Sequence, residues 1–142
     1  MPTRVPVSPG VFSWPADEPH LLGSRCTGCG NHMFPTQSGC SRCTGTSTEP
    51  VGLARRGTLW TWTVQSFPPK APPYLGATDA SFQPFGVGYI ELPDQVKVEA
   101  RLTEADPQRL SIGMEMEMVI IPLAIDEDGN EVVTFAFRPV AE

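Results

Sequence analysis

All four cysteines of the chain fall within eighteen positions, in the stretch CTGCGNHMFPTQSGCSRC at residues 26–43. The spacing is Cys26-x2-Cys29-x10-Cys40-x2-Cys43. A Cys-x2-Cys turn sets two thiolates on one side of a tight knuckle, and two facing knuckles supply a tetrahedron of sulfurs. That is the geometry of a structural Zn²⁺ site, with Zn–S bonds of ~2.3 Å. Four sulfurs leave no position open for water or substrate, so the expected role is structural, not catalytic. Gly28 and Gly30 in one knuckle and Gly45 beyond the other are expected to supply the positive φ values of such turns.

Other uses of these residues fit the sequence less well. Two disulfides would suit an oxidising compartment. The opening MPTRVPVSPGVFSWP has prolines where the apolar core of a signal peptide would run, which points to the cytoplasm instead. A redox pair needs only one Cys-x-x-Cys, at the head of a helix. Iron in the same sulfur cage is the remaining alternative metal, and His32 is an alternative ligand better read as a loop residue.

The elements that must hold this cluster come next. Residues 1–22 contain five prolines and predict an extended arm that packs on a neighbour through Phe12 and Trp14. Residues 23–52 form a small rubredoxin-like zinc ribbon, and residues 53–142 a β domain. TLWTWTVQSF alternates, with Trp60, Trp62 and Val64 on one face and Thr61, Thr63 and Gln65 on the other. FGVGYIEL is a second strand, whose Gly86 and Gly88 predict a bulge or a close backbone approach. QVKVEARLT puts Val96, Val98, Ala100 and Leu102 inward, and MEMEMVII does the same with Met114, Met116, Met118 and Ile120. EVVTFAFRPV closes the set. LPDQ is a short turn, AIDEDGNEV has Asp-Gly hairpin chemistry, and Asp106-Pro107 caps a short helical turn. Five strands with that connection between the third and fourth match the order of an OB-fold barrel. The fold expected is therefore mainly β: a zinc ribbon followed by a five-stranded OB-fold barrel.

Residues 68–84, PPKAPPYLGATDASFQP, hold five prolines in a 17-residue connection between the first two barrel strands. Connections this long in compact domains are usually functional or disordered. Lys70, Tyr74 and Phe85 are the candidate contact residues here. Arg55 and Arg56 are the cations near the ribbon–barrel junction.

Composition excludes several functions. No stretch approaches ~18 consecutive apolar residues, so no membrane-spanning helix is expected. Residues 1–84 carry six basic and four acidic groups, whereas residues 85–142 carry four basic and twelve acidic ones, a net of −8 in the second part. Such a field opposes phosphate, so the rival reading of a single-stranded nucleic-acid-binding module is disfavoured. Trp60 and Trp62, which alternate with threonines, are expected in the core instead of stacking on bases. With two histidines, no Gly-x-Ser-x-Gly elbow and its thiols assigned to metal, the chain is not expected to be an enzyme on its own.

The ordered combination of ribbon and barrel resembles the DUF35 family of zinc-ribbon OB-fold proteins. LLGSRCTGCGNHMFP resembles the family's entry to the ribbon, and GTLWTWTVQSFPP its first barrel strand. PFGVGYIEL and IGMEMEMVI resemble later strands, and FAFRPV its Phe-x-Pro ending. The resemblance covers residues 18–140 and departs at the proline-rich arm, where many members carry a longer helix. It implies a non-catalytic subunit in a hetero-oligomer with a thiolase-fold enzyme: a thiolase, a hydroxymethylglutaryl-CoA synthase, or a sterol-carrier-type aldolase of lipid or aromatic degradation. It further implies that the partner brings the catalytic cysteine and histidines, and that this chain helps shape a shared acyl-CoA site.

Overall fold

The computed structural model describes residues 3–8, 10–70, 75–76 and 82–140. Among them lie nine strands and no helix. Five form the barrel: β5 (Arg56–Gln65), β6 (Phe85–Glu91), β7 (Lys97–Leu102), β8 (Glu115–Ile125) and β9 (Glu131–Pro139). Their pairing runs β5-β6-β7-β9-β8 and returns to β5, the closed strand order of an OB-fold. The seam β7–β9 is parallel and touches in register only at Leu102 and Phe137. The upper part of β9 pairs instead with β1 (Arg4–Pro6), Arg4 lying opposite Glu131.

Alternation makes these strands because one side of each buries its apolar residues and the other meets water. Val98, Ala100 and Leu102 of β7 and Met116 and Met118 of β8 are buried as the pattern predicts. The β8–β9 hairpin closes on Asp126, whose Oδ1 accepts from the main-chain N–H groups of Asp128 and Asn130. The connection after β7 holds a turn at 106–109, with Asp106 Oδ1 accepting from Gln108 N at 2.9 Å, and a second at 111–114.

Two expectations are corrected. Trp60 does not share a face with Trp62. The β5–β6 register shifts between Leu59 and Thr61, so a β-bulge inserts one residue there. Leu59 before it and Trp62 after it point to the core, while Trp60 is turned out. Phe12 and Trp14 do not face a neighbour either. Phe12 is buried in this chain's own core beside Leu21 and Leu53, and Trp14 packs against the same cluster. Arm and barrel thus share one core, while the ribbon keeps a small cluster of its own, Cys26, Met33 and Cys40, and packs on the first through Val51 and Phe34, the latter edge to face with Phe135.

The outer wall carries a charge ladder across the β5–β8 seam. Glu117 lies opposite Arg56 on one side and Arg138 on the other. Arg138 Nη2 and Nε reach Glu117 Oε1 at 2.7 and 3.1 Å, and Arg56 Nη2 reaches Oε2 at 3.2 Å. The Arg138 hydrogen bonds, with those of Arg56 added, hold the Glu117 carboxyl below the usual carboxylate range, although burial opposes them. A carboxyl depressed on folding stabilises the protein above its unfolded value of ~4.3, and that contribution is lost as pH falls through the folded value. Glu117→Gln is therefore expected to lower Tm at pH 7 but to match the parent protein once both are melted in acid below that window. An equal deficit at both pH values would contradict this account.

Candidate metal centre and ligand face

The metal centre grows from a small sheet with the order β3-β2-β4. Its strands are β2 (Leu22–Cys26), β3 (His32–Met33) and β4 (Thr48–Gly52). Cys26 is the last residue of β2, so the first knuckle hangs from the end of a paired strand. The two knuckles repeat one design. Gly30 N donates to Cys26 O at 2.9 Å, and Thr44 N donates to Cys40 O at 3.0 Å. Cys26 N then donates to Asn31 O, and Cys40 N to Gly45 O, each at 2.8 Å. The equivalent residues Gly30 and Thr44 both take positive φ, +80° and +62°. The second knuckle therefore places a threonine, not Gly45, in the left-handed region. Gly45 is required for a different reason: a Cβ there would stand 3.2 Å from Cys43 Sγ and 3.9 Å from Cys26 Sγ.

The four sulfurs lie within 4.8 Å of one another. Cys26 and Cys43 are 3.6 Å apart, as are Cys29 and Cys40. A zinc tetrahedron with ~2.3 Å bonds needs sulfurs ~3.8 Å apart, whereas a disulfide needs ~2.05 Å. The donor set fits zinc. Main-chain amides point at the sulfurs: Cys29 N at Cys26 Sγ, and Arg42 N and Cys43 N at Cys40 Sγ, 3.3–3.5 Å away. The N–H of Cys43 and then that of Arg42 hold the Cys40 thiol down to about 6. The N–H groups of Cys29 and Gly28 likewise lower Cys26. For Cys43 the Gly45 N–H favours the thiolate, but the neighbouring thiols of Cys26, Cys29 and Cys40 push it the other way, up to about 11. Four thiolates in this volume need a cation among them. His32 sits in β3 opposite Arg25 and is not part of the sulfur group.

The other candidate residues fall in separate places. Arg55 is half-buried, its Nε donating to Pro19 O at 3.0 Å and its Nη2 to Met118 O at 3.3 Å, so it clips the arm to the barrel. Arg56 is held by Glu115 and Glu117. Lys70 is exposed at the start of the long loop. Tyr74 lies outside the described residues. Phe85 opens β6 and is shared by two shallow grooves of about 240 and 290 Å³. The Arg101 guanidinium lies 3.9 Å from its ring centroid.

Sequence reasoning missed the companions of Phe85. Leu123, Thr134 and Phe135 line the same groove with Val87 and Arg101. It also missed the set around Trp60. The signal was present: Lys97, Glu99 and Arg101 point outward from β7 beside the outward residues Val87 and Tyr89 of β6.

A four-cysteine ribbon packed on a closed β5-β6-β7-β9-β8 barrel defines a zinc-ribbon OB-fold protein. Two family profiles agree. The one described as "ChsH2, rubredoxin-like zinc ribbon domain" matches residues 13–49, and "ChsH2, C-terminal OB-fold domain" matches residues 50–120. The chain belongs to the DUF35 family. It is 31% identical over 134 residues to the benzoylsuccinyl-CoA thiolase subunit BbsA of Thauera aromatica, covering 93% of this chain and 86% of that one. It is 30% identical over 121 residues to a DUF35 domain-containing scaffold protein of Pyrococcus furiosus, covering 84% and 83%. Among solved structures, a chain of the Ltp2-ChsH2(DUF35) aldolase superposes with a TM-score of 0.62 at 22% identity, covering 86% of each chain, a likeness of fold.

Proposed function

We propose that this chain is the non-catalytic accessory subunit of a thiolase-type acyl-CoA enzyme, acting in the cytoplasm as one part of a hetero-oligomer. The observation that carries the reading is the 31% identity, across nearly the whole chain, to a protein named as a thiolase subunit. The chemistry of the described residues supports it. The four thiols converge on one metal centre. Of the two histidines, His20 directs Nδ1 at Leu53 O, and His32 is paired in a ribbon strand. The catalytic cysteine and histidines then belong to the partner, and this chain stabilises the assembly and borders a shared acyl-CoA site. Loop 68–84, with Lys70, Tyr74 and Phe85, is the segment assigned to that border, and Arg55 and Arg56 to the junction behind it. The working division is an arm at 1–22, a ribbon at 23–52 and a barrel at 53–142, since β4 ends at Gly52 and β5 begins at Arg56.

The test is isolation of the chain from its native cell and identification of what accompanies it. A thiolase-fold subunit is expected, with acyl-CoA turnover by the pair and none by the purified chain alone. Turnover by the chain alone, abolished by a substitution within it, would overturn the reading.

A further inference from the structure

Exposed apolar side chains gather on one part of the barrel wall. At the β5 bulge Trp60 is 52% exposed, and beside it on β6 Tyr89 is 40% exposed. Their rings meet edge to face with centroids 6.2 Å apart. Lys97 Nζ lies 4.6 Å from the Trp60 ring, and Tyr89 OH donates to Glu99 Oε2 at 3.2 Å. The turn at 111–114 is fastened to the same spot, Leu59 N donating to Met114 O and Gly113 N to Leu59 O. That brings Ile112, 71% exposed, alongside the bulge. Trp60 keeps the phase set by buried Gly57 and Leu59 and so faces out, and the bulge beside it turns Trp62 back to the core, leaving Trp60 exposed on the wall. Exposed aromatics held by such contacts offer large contact area at low entropic cost.

The rim of this patch is acidic. Glu91, Glu99 and Glu115 stand around it against Lys97 and Arg56, a net of −1, on a chain whose own net charge is −6. Such a rim repels a second copy of the chain and the phosphates of nucleic acid, and it complements a protein surface with basic side chains around an apolar socket.

We infer that the Trp60–Tyr89–Ile112 patch is the anchor by which this chain docks on the thiolase-type subunit, in a socket ringed by basic side chains. The inference rests on the accessory-subunit reading and adds the surface and the chemistry of its partner. It is distinct from the loop at 68–84, since Trp60 lies five residues along β5 from Gln65, roughly 16 Å from the base of that loop.

The experiment measures affinity by calorimetric titration against the thiolase-type subunit that co-purifies with the wild-type chain. Trp60→Ala and Tyr89→Ala are each expected to weaken binding about thirtyfold, equivalent to ~2 kcal/mol. Trp60→Phe should retain most of the affinity. Zinc content should not move, and Tm should fall by only a few degrees, the cost of the edge-to-face pair, with the chain still folded. Glu115→Lys on the rim should slow association and flatten its salt dependence. Wild-type affinity in both alanine variants overturns the inference. So does an effect confined to self-association, or to binding of a single-stranded DNA oligonucleotide. A wild-type chain that binds no thiolase-type subunit overturns the accessory reading itself, an outcome separate from the response of the variants.

Discussion

Replacing Cys40 with serine is expected to take the protein from one bound zinc per chain to little or none, and to lower the stability of the whole molecule. Cys40 is buried and is the sulfur most surrounded by donors, receiving the N–H groups of Arg42 and Cys43 and the side-chain amide of Asn31. A serine hydroxyl remains protonated where that thiol ionises, so the fourth ligand is lost. Structural zinc in small modules binds with an apparent ~10–16 kcal/mol at neutral pH, and in such modules binding energy is folding energy. Damage does not stop at the ribbon, because Phe34 and Val51 of the ribbon pack against the barrel's core cluster and Phe34 touches Phe135. Elemental analysis and melting curves with and without chelator provide the measurement. A fully loaded Cys40→Ser protein would refute the ligand assignment, and visible thiolate-to-iron absorbance in the parent protein would refute the metal.

A single methyl group at position 86 should cost ~3 kcal/mol. A Cβ on Gly86 would lie 2.3 Å from the main-chain oxygen of Glu104 and 3.0 Å from Leu102 Cβ. Neither is a flexible side-chain end, so relief requires the backbone leaving β7 at Glu104 to shift and β6 to move off Leu102. Overpacking of this kind costs ~1–3 kcal/mol, and contact with main chain places Gly86→Ala at the upper end. For a domain of this size the loss corresponds to a fall in Tm of roughly 10 °C. A melting point within ~2 °C of the parent would show that the strands yield more easily than their packing indicates.

Gly86 also shows where sequence reasoning succeeds. Two glycines in an alternating strand suggested a bulge or a close approach, and the structure selects close approach at both: a Cβ on Gly88 would lie 2.8 Å from Thr61 O. The barrel strands and the cysteine group were legible because local spacing encodes them, through period two in the strands and two knuckles within eighteen residues in the ribbon. Trp60 was misplaced because a bulge changes the phase of alternation without changing composition. Arg55 could not be understood locally, since its acceptors are Pro19 and Met118, 36 and 63 residues away. Phe12 is likewise buried by distant partners. Thr44 escaped notice because glycine beside it was the expected bearer of positive φ.

The pairing of β1 with β9 has a consequence for how the chain acquires its shape. Arg4 and Glu131, which meet in that pairing and share an ion pair at 3.0 Å, are separated by 127 residues. During synthesis at ~5–20 residues per second, the arm emerges many seconds before its partner strand. The zinc knuckles, by contrast, need only eighteen residues and can close around metal at once. It follows that maturation begins at the ribbon and finishes when β9 is laid between β1 and β8, so that high contact order, not local propensity, governs the late step. Until then Phe12 and the β1 edge lack their final cover, and they wait exposed while the rest of the barrel is made.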